Sequence, residues 1–244
     1  MATLKTPLRL AMTGRKGGTG KTTAAVGLAS VLASQKNRVL LIDLDPQSNA
    51  AFALGVDPAA PGTAQLLLGK TPEPLAAAER LHVLPGGPTL SDHRIQALDP
   101  EELADALRGL DYDAVLFDCP PGNEHLERFA ITAANAALVV VDAHPFSLVG
   151  ASRVLEILAT RKAKARRGPE RWALLMSRID NRRAADRALP TTLSEAFSGV
   201  SRFEVRQDVA LSNATADRLP MMAACPTARG VEDLVSITKW LNHG

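Results

Sequence analysis

Eleven consecutive residues, Thr13-Gly14-Arg15-Lys16-Gly17-Gly18-Thr19-Gly20-Lys21-Thr22-Thr23, carry the densest chemical signal in the chain. Glycines let a backbone turn tightly and aim successive N–H groups into one concavity. The N-terminus of a following helix adds the positive end of its dipole, so an anion is held mostly by main chain. In that setting Lys21 supplies a cation for the β- and γ-phosphates of a nucleoside triphosphate, and the Thr22 hydroxyl offers a hard oxygen ligand for Mg²⁺. The spacing departs from the strict G-x-x-x-x-G-K-[ST] loop: the residue five before Gly20 is Arg15, and Gly17, Gly18 and the additional Lys16 take over. A dinucleotide fold also pairs a glycine-rich turn with an acid about twenty residues on, a part open to Asp43 or Asp45. However, G-x-G-x-x-G is absent, and a Lys-Thr pair after the last glycine has no role there. The loop reads as a triphosphate site.

Two further segments end in acids. In Leu41-Ile42-Asp43-Leu44-Asp45-Pro46-Gln47 the carboxylates stand two apart. Side chains two apart on a strand share a face, so both can look at the phosphate site from the strand's carboxyl end. Val115-Leu116-Phe117-Asp118-Cys119 is an apolar run closing on an acid, which suits holding Mg²⁺ through its water shell.

These groups need a scaffold. Short Leu- and Val-rich runs alternate with longer amphipathic stretches, the pattern of a parallel sheet covered by helices on both faces. Strands are expected at Leu8–Thr13, Arg38–Leu44, Leu81–Leu84, Ala114–Asp118, Ala136–Asp142, Trp172–Ser177 and Arg202–Arg206. Helices are expected at Lys21–Ser34, Pro100–Leu107, Glu124–Asn135, Leu148–Lys164, Arg183–Phe197 and Thr227–Leu241. The expected fold is α/β, a doubly wound, mainly parallel sheet flanked by helices, in one domain over residues 1–244. Pro/Gly clusters at Asp57–Gly62 and Pro85–Pro88 read as loops.

Composition narrows the class. With 244 residues, 46% hydrophobic and 22% charged, the chain can build an ordinary core and is not a disordered polymer. Cys119 and Cys225 form no disulfide framework, and Cys119 reads as a buried, inert thiol in a reducing compartment. His82, His93, His125, His144 and His243 lack ligand spacing, so zinc is not expected. Without an eighteen-residue apolar run, or an export pattern from Met1 to Met12, the chain is expected to be cytoplasmic. Aromatic residues at 4% argue against base-stacking recognition of single strands. Residues 153–187 hold eleven Lys/Arg against four Asp/Glu, net +7, while the remainder carries net −5. Such a basic segment can attract a polyanion.

On Lys16-Gly-Gly-Thr-Gly-Lys-Thr-Thr23, Asp43-Leu-Asp-Pro-Gln-Ser-Asn49 and the stretch Asp113 to Gly122, the chain resembles the ParA/MinD family of deviant Walker-A ATPases. It is most similar to short ParA-type partition ATPases. The resemblance covers nearly the whole chain and implies a P-loop NTPase fold with ATP and Mg²⁺ as cofactors. It implies nucleotide binding by Lys16, Gly17, Gly18, Thr19, Gly20, Lys21, Thr22 and Thr23, with Thr22, Asp43 and Asp118 supporting the metal. Lys16, Lys21 and Asp45 would be catalytic, Asp45 orienting the attacking water. Lys16 would reach across an ATP-sandwiched homodimer to the partner subunit's phosphates, where a cation neutralises transition-state charge as an arginine finger does. Hydrolysis would be slow alone. A ParB-like or other cargo adaptor and DNA would stimulate it, and the output would be segregation or positioning of a plasmid, chromosome region or protein assembly on the nucleoid.

Larger members of that family carry a helix-turn-helix extension. Only thirteen residues precede Gly14, so operator recognition is not expected. Non-specific duplex DNA binding is implied instead, on Arg178, Arg182, Arg183, Arg187 and Arg206, with Arg202 nearby. Ala210 stands where similar proteins often have arginine. About five phosphate contacts would cost roughly 500-fold in affinity between 50 and 200 mM salt. The alternative is a MinD-like positioning ATPase on a membrane or protein scaffold, and a metabolic P-loop ligase is a third reading. From Val231 to Leu241 only Lys239 is basic, so that helix is expected to pack on the sheet and no membrane partner is expected.

Overall fold

The computed structural model describes Leu4 and residues 6–242; Met1 and His243 lie outside the described residues. The strands are β1 (Leu8–Thr13), β2 (Val39–Asp43), β3 (Leu75–Ala78), β4 (Leu81–Leu84), β5 (Ala114–Asp118), β6 (Ala136–Val141), β7 (Arg171–Ile179) and β8 (Ser201–Arg206). They form one sheet in the order β3-β4-β2-β5-β1-β6-β7-β8. Every neighbouring pair is parallel except β3 with β4. The helices are α1 (Lys21–Ser34), α2 (Asn49–Ala53), α3 (Thr63–Leu67), α4 (His93–Gln96), α5 (Glu101–Ala106), α6 (Glu124–Ala133), α7 (Pro145–Ala163), α8 (Ala184–Ala196), α9 (Val209–Ala216), α10 (Met221–Ala224) and α11 (Arg229–Leu241).

The apolar runs become central strands because both of their faces must be covered. β2, β5 and β6 are buried at every position, as the interior strands of a parallel sheet require. Alternate residues enter different cores. Leu10, Met12, Leu41 and Leu116 pack with α1, α2, α9, α10 and α11. Ala11, Ile42, Val115 and Phe117 pack with α3 to α8. The doubly wound α/β fold is thereby present. α1 is apolar all round because it is sandwiched between the sheet and α11. At Gly27 an added Cβ would stand 2.4 Å from Leu234 Cδ1, so a larger residue there would force Leu234 and Met221 to move.

Several boundaries move for local reasons. β2 is shorter at both ends than Arg38–Leu44, and β6 stops at Val141 rather than Asp142. β7 is longer than Trp172–Ser177, and β8 starts one residue before Arg202. α6 ends at Ala133 because Asn135 turns out of the helix, its side chain accepting from Arg9 N at 2.9 Å and donating to Pro7 O at 2.9 Å. α7 begins at Pro145, not Leu148: proline suits a first helical position, and His144 Nδ1 accepts from Phe146 N at 3.3 Å. α5 and α8 lose a residue at each end and α11 loses two at its start. The sequence reading omits β3, α2, α3, α4, α9 and α10.

Candidate nucleotide-binding site

The glycine-rich loop lies between the carboxyl end of β1 and the first turn of α1, as its sequence demands. Gly20 caps α1 at φ +90°, and a Cβ there would stand 2.6 Å from Ser177 Oγ. Left-handed backbone costs a non-glycine residue about 1–3 kcal/mol. Gly20→Ala is therefore expected to lower thermal stability measurably and to weaken ATP binding at least tenfold in calorimetry. Lys21 is buried and donates through Nζ to the carbonyl of Lys16 at 2.9 Å, so it arches back over the loop. Burial lowers its pKa, opposed by Asp118, Cys119, Glu127 and Asp45. Its nearest strong acceptor is thus a loop carbonyl, a bond easily exchanged for a phosphate oxygen.

The three acids differ in what they are free to do. Asp43 is held by the backbone: one oxygen accepts from Asp45 N at 2.9 Å, and the other accepts from Ala50 N at 2.9 Å and Ala51 N at 3.2 Å. Burial, with Asp118 beside it, raises its pKa while these backbone donors act the other way. It anchors the start of α2 and shapes the β2–α2 turn. Asp45 accepts from Gln47 N at 2.9 Å and from Asn49 Nδ2 at 3.3 Å, and it lines the cavity beside Lys21. Asp118 is buried, and neither of its carboxylate oxygens accepts a hydrogen bond of good geometry. Burial pushes it up to about 7 despite the pull of Thr22 and Lys21 towards the charged form.

An orphaned buried carboxylate facing a threonine hydroxyl and a lysine fits a metal-bearing ligand. Among the described residues no cluster of three or more His, Cys, Asp or Glu side chains could cage a metal. A hydroxyl beside a carboxylate suits Mg²⁺, which typically keeps waters and takes one or two protein oxygens plus phosphate. The residues that would hold it are Thr22 directly and Asp118 through water. Asp43, expected to share that task, spends its oxygens on backbone.

Lys16 points elsewhere. Its Nζ pairs with Asp142 Oδ2 at 2.6 Å, both side chains partly exposed. Asp142 follows β6 and is held by His144 N, donating at 3.3 Å, and through its own N–H to Ser147 Oγ at 3.1 Å. Partial burial works against its charge, but Lys16, with the hydrogen bonds of His144 and Ser147, outweighs it and holds the carboxylate below the usual range. Arg15, the residue that breaks the strict loop spacing, pairs with Glu124 and, at 3.5 Å, with Glu127 of α6. Thr13 donates to Glu127 as well. The loop's entry is therefore bolted to α6. No spacing rule exposes Asp142 or Glu127, which lie over a hundred residues away in sequence.

A cavity of about 500 Å³ extends from Lys21, Thr22 and Asp45 to Arg178, Gln207 and Asp208, large enough for a nucleoside beside its phosphates. Two expected DNA contacts are on this wall. Arg178 has φ +61° where the β7–β8 register shifts, and it donates to Gly18 O at 2.6 Å. Arg206 is clamped by Asp233 in contacts of 2.7 to 3.1 Å. Arg182 pairs with Asp180 at 2.8 and 2.9 Å, which pulls that carboxylate to about 2. Arg187 donates to Asn181 O at 2.9 Å and Arg182 O at 3.0 Å, and Arg202 to Val200 O at 3.3 Å. Arg183 is exposed beside them. Cys119 is buried and burial raises its thiol pKa strongly; Cys225 is half-buried.

The family described as AAA domain matches residues 9–168. The chain is 41% identical over 157 residues to the chromosome-partitioning ATPase Soj of Thermus thermophilus, covering 64% of this chain and 63% of that protein. It is 32% identical over 185 residues to the chromosome partitioning protein ParA of Myxococcus xanthus, covering 71% of this chain and 65% of the relative. The matched stretch thus spans just under two thirds of each relative's length. In fold, the chain is similar to McdA of Cyanothece in an ATP complex, with a TM-score of 0.82, 24% identity, and coverage of 99% of this chain and 97% of that one.

Proposed function

The chain belongs to the ParA/MinD family of P-loop ATPases, and from that premise we propose that it is a positioning ATPase that hydrolyses Mg·ATP as a homodimer. The observation that carries this reading is the meeting of Lys21, Thr22 and Asp45 at one end of the cavity with the orphaned Asp118 buried behind Thr22 and Lys21, while Lys16 is turned away onto Asp142. Main-chain N–H groups from Gly17 to Thr23 would cradle the phosphates. Lys21 would leave the Lys16 carbonyl for them, and Asp45, fixed by Gln47 N and Asn49, would orient the attacking water. Mg²⁺, when bound, would offset charge on the phosphates. Lys16 would complete the site of the facing subunit.

The ATP state would bind duplex DNA without sequence preference, a ParB-like or other cargo adaptor would stimulate hydrolysis, and the protein would act on the nucleoid. The similarity to a chromosome-partitioning ATPase supports this output. A membrane-based alternative lacks a free surface in α11, whose Val231, Leu234, Ile237 and Leu241 are buried. No helix of the described residues is long and apolar enough to cross a membrane. Light scattering coupled to size exclusion is expected to give a dimer with Mg·ATP and a monomer with ADP. Sedimentation with duplex DNA is expected to require ATP. A monomer under both nucleotides, or pelleting with anionic liposomes alone, would reverse the proposal.

A further inference from the structure

The basic segment is split by the fold. β7 runs from Arg171 to Ile179, and at about 3.3 Å per residue it separates the two halves of the segment by roughly 27 Å. Arg178, Arg182, Arg183 and Arg187 lie at the nucleotide end. Arg161, Lys162, Lys164, Arg166, Arg167 and Arg171 lie at the opposite end, on the last turn of α7 and the loop that enters β7. At the nucleotide end four of the five expected DNA contacts are already engaged: Arg182 by Asp180, Arg206 by Asp233, Arg178 by the Gly18 carbonyl and Arg187 by the Asn181 and Arg182 carbonyls.

The far end is different. Arg161 is half-buried and pins the loop, donating to Arg167 O at 2.6 and 2.9 Å and to Thr132 Oγ1 at 2.8 Å. Around it, the exposed side chains of Arg128, Lys164 and Arg166 make no ion pair or hydrogen bond among the described residues, and Lys162 donates to the Glu170 carbonyl at 2.7 Å and lies over the Trp172 ring, 5.5 Å from its centroid. The charges crowd one another. Burial first, then Arg166 and Arg128, depress Arg161, and burial followed by Arg167 depresses Arg9. Carboxylates are present, since Glu101 and Asp105 pair with Arg167, and Glu156 and Glu170 stand at the crevice edges. They leave Arg128, Lys164 and Arg166 unmatched.

We propose that this surface, built on Arg128, Lys162, Lys164 and Arg166 around the Arg161-pinned loop, is where duplex DNA phosphates dock. The proposal rests on the DNA-binding reading above and relocates its footprint. A guanidinium-rich patch on a preformed loop suits backbone phosphates. An anionic membrane fits less well, because none of the large exposed apolar side chains, Phe52, Leu110, Phe146, Val149, Val209 and Leu219, lines either crevice here, and interfacial binding calls for apolar insertion.

The test is titration of a fluorescent random-sequence duplex with the full chain in Mg·ATP from 50 to 200 mM salt. The parent is compared with an Arg128→Ala/Lys164→Ala/Arg166→Ala variant and with Arg182→Ala/Arg183→Ala. The triple variant should bind at least tenfold more weakly at 100 mM salt, with the salt slope reduced by about 2.7, or 0.9 for each lost contact. Its ATP-driven dimerisation and basal turnover should match the parent, since the nucleotide end lies far away. Parental affinity and slope in the triple variant, with loss confined to Arg182→Ala/Arg183→Ala, would overturn this footprint while leaving DNA binding intact. Failure of the parent to bind duplex in Mg·ATP would overturn the DNA reading itself. Loss of anionic-vesicle binding with unchanged DNA binding would also overturn the proposal.

Discussion

Lys16→Ala is expected to bind Mg·ATP within about threefold of the parent, to remain monomeric in it, and to lose turnover by about a thousandfold, the scale of a trans-acting cation in phosphoryl transfer. The separation of binding from chemistry follows from where the side chain is. Its Nζ sits on Asp142 of the same chain, and only its carbonyl touches Lys21; a backbone carbonyl survives the substitution. Nothing in the single chain therefore asks Lys16 to hold nucleotide. The bond to Asp142 is no obstacle to exchange, because a partly exposed ion pair is worth about 0–1 kcal/mol, less than a lysine gains against clustered phosphates. Asp142→Asn, which removes the partner and keeps the lysine, should accordingly retain turnover within a few fold. Calorimetry, light scattering and phosphate release measured on the two variants decide the matter. A Lys16→Ala protein that dimerises and hydrolyses at the parental rate would remove the trans role.

How far the sequence could be read depended on whether the signal was local. The loop from Thr13 to Thr23 declares itself because glycines, a lysine and a hydroxyl must be contiguous to form a cradle on one helix start. The buried strands declare themselves because uncovered apolar runs have nowhere else to go. Arg15 looked like a departure from the motif and is explained only by Glu124 and Glu127, residues that α6 brings from a distance. Arg206 is expected from the sequence to contact DNA, and in the fold it walls the cavity together with Gln207, Asp208, Leu211 and Ser212. The orientation of this stretch is set by Asp233 gripping Arg206 and by Asp208, which accepts from Ala210 N at 2.9 Å and Gly230 N at 3.0 Å. Charge counted along the chain does not record which cations are already paired. α2, α9 and α10 were missed because four to eight residues are too few to display a helical period.

Asp118→Asn should make the protein more stable and nearly inactive. In metal-free buffer at pH 8 the parent keeps a buried carboxylate that accepts no well-formed hydrogen bond. Burial raises it from 3.8 to about 7 in the folded chain. Between those values the folded state holds a proton that the unfolded state has released, so this group's contribution to stability is greatest below about 4 and falls as pH rises to about 7, where its full penalty is felt. A shift of that size corresponds to about 4 kcal/mol, or roughly 8–16 °C in melting temperature for a chain this long. The amide carries no charge to bury, so the variant should melt higher at pH 8 and lose part of the decline between pH 4 and 7. Asp43 and Glu127, whose pKa values burial also raises, would sustain the remainder. The same neutral amide removes the negative charge that would hold the hydrated metal beside Thr22, so Mg·ATP turnover should fall at least about a hundredfold, as for other electrostatic contributors to phosphoryl transfer. ADP binding without magnesium should stay near parental. A variant that melts lower at pH 8 or keeps parental turnover would mean that Asp118 holds the core together rather than serving the nucleotide. Rising stability with falling turnover is the signature of a charge kept buried for its chemistry.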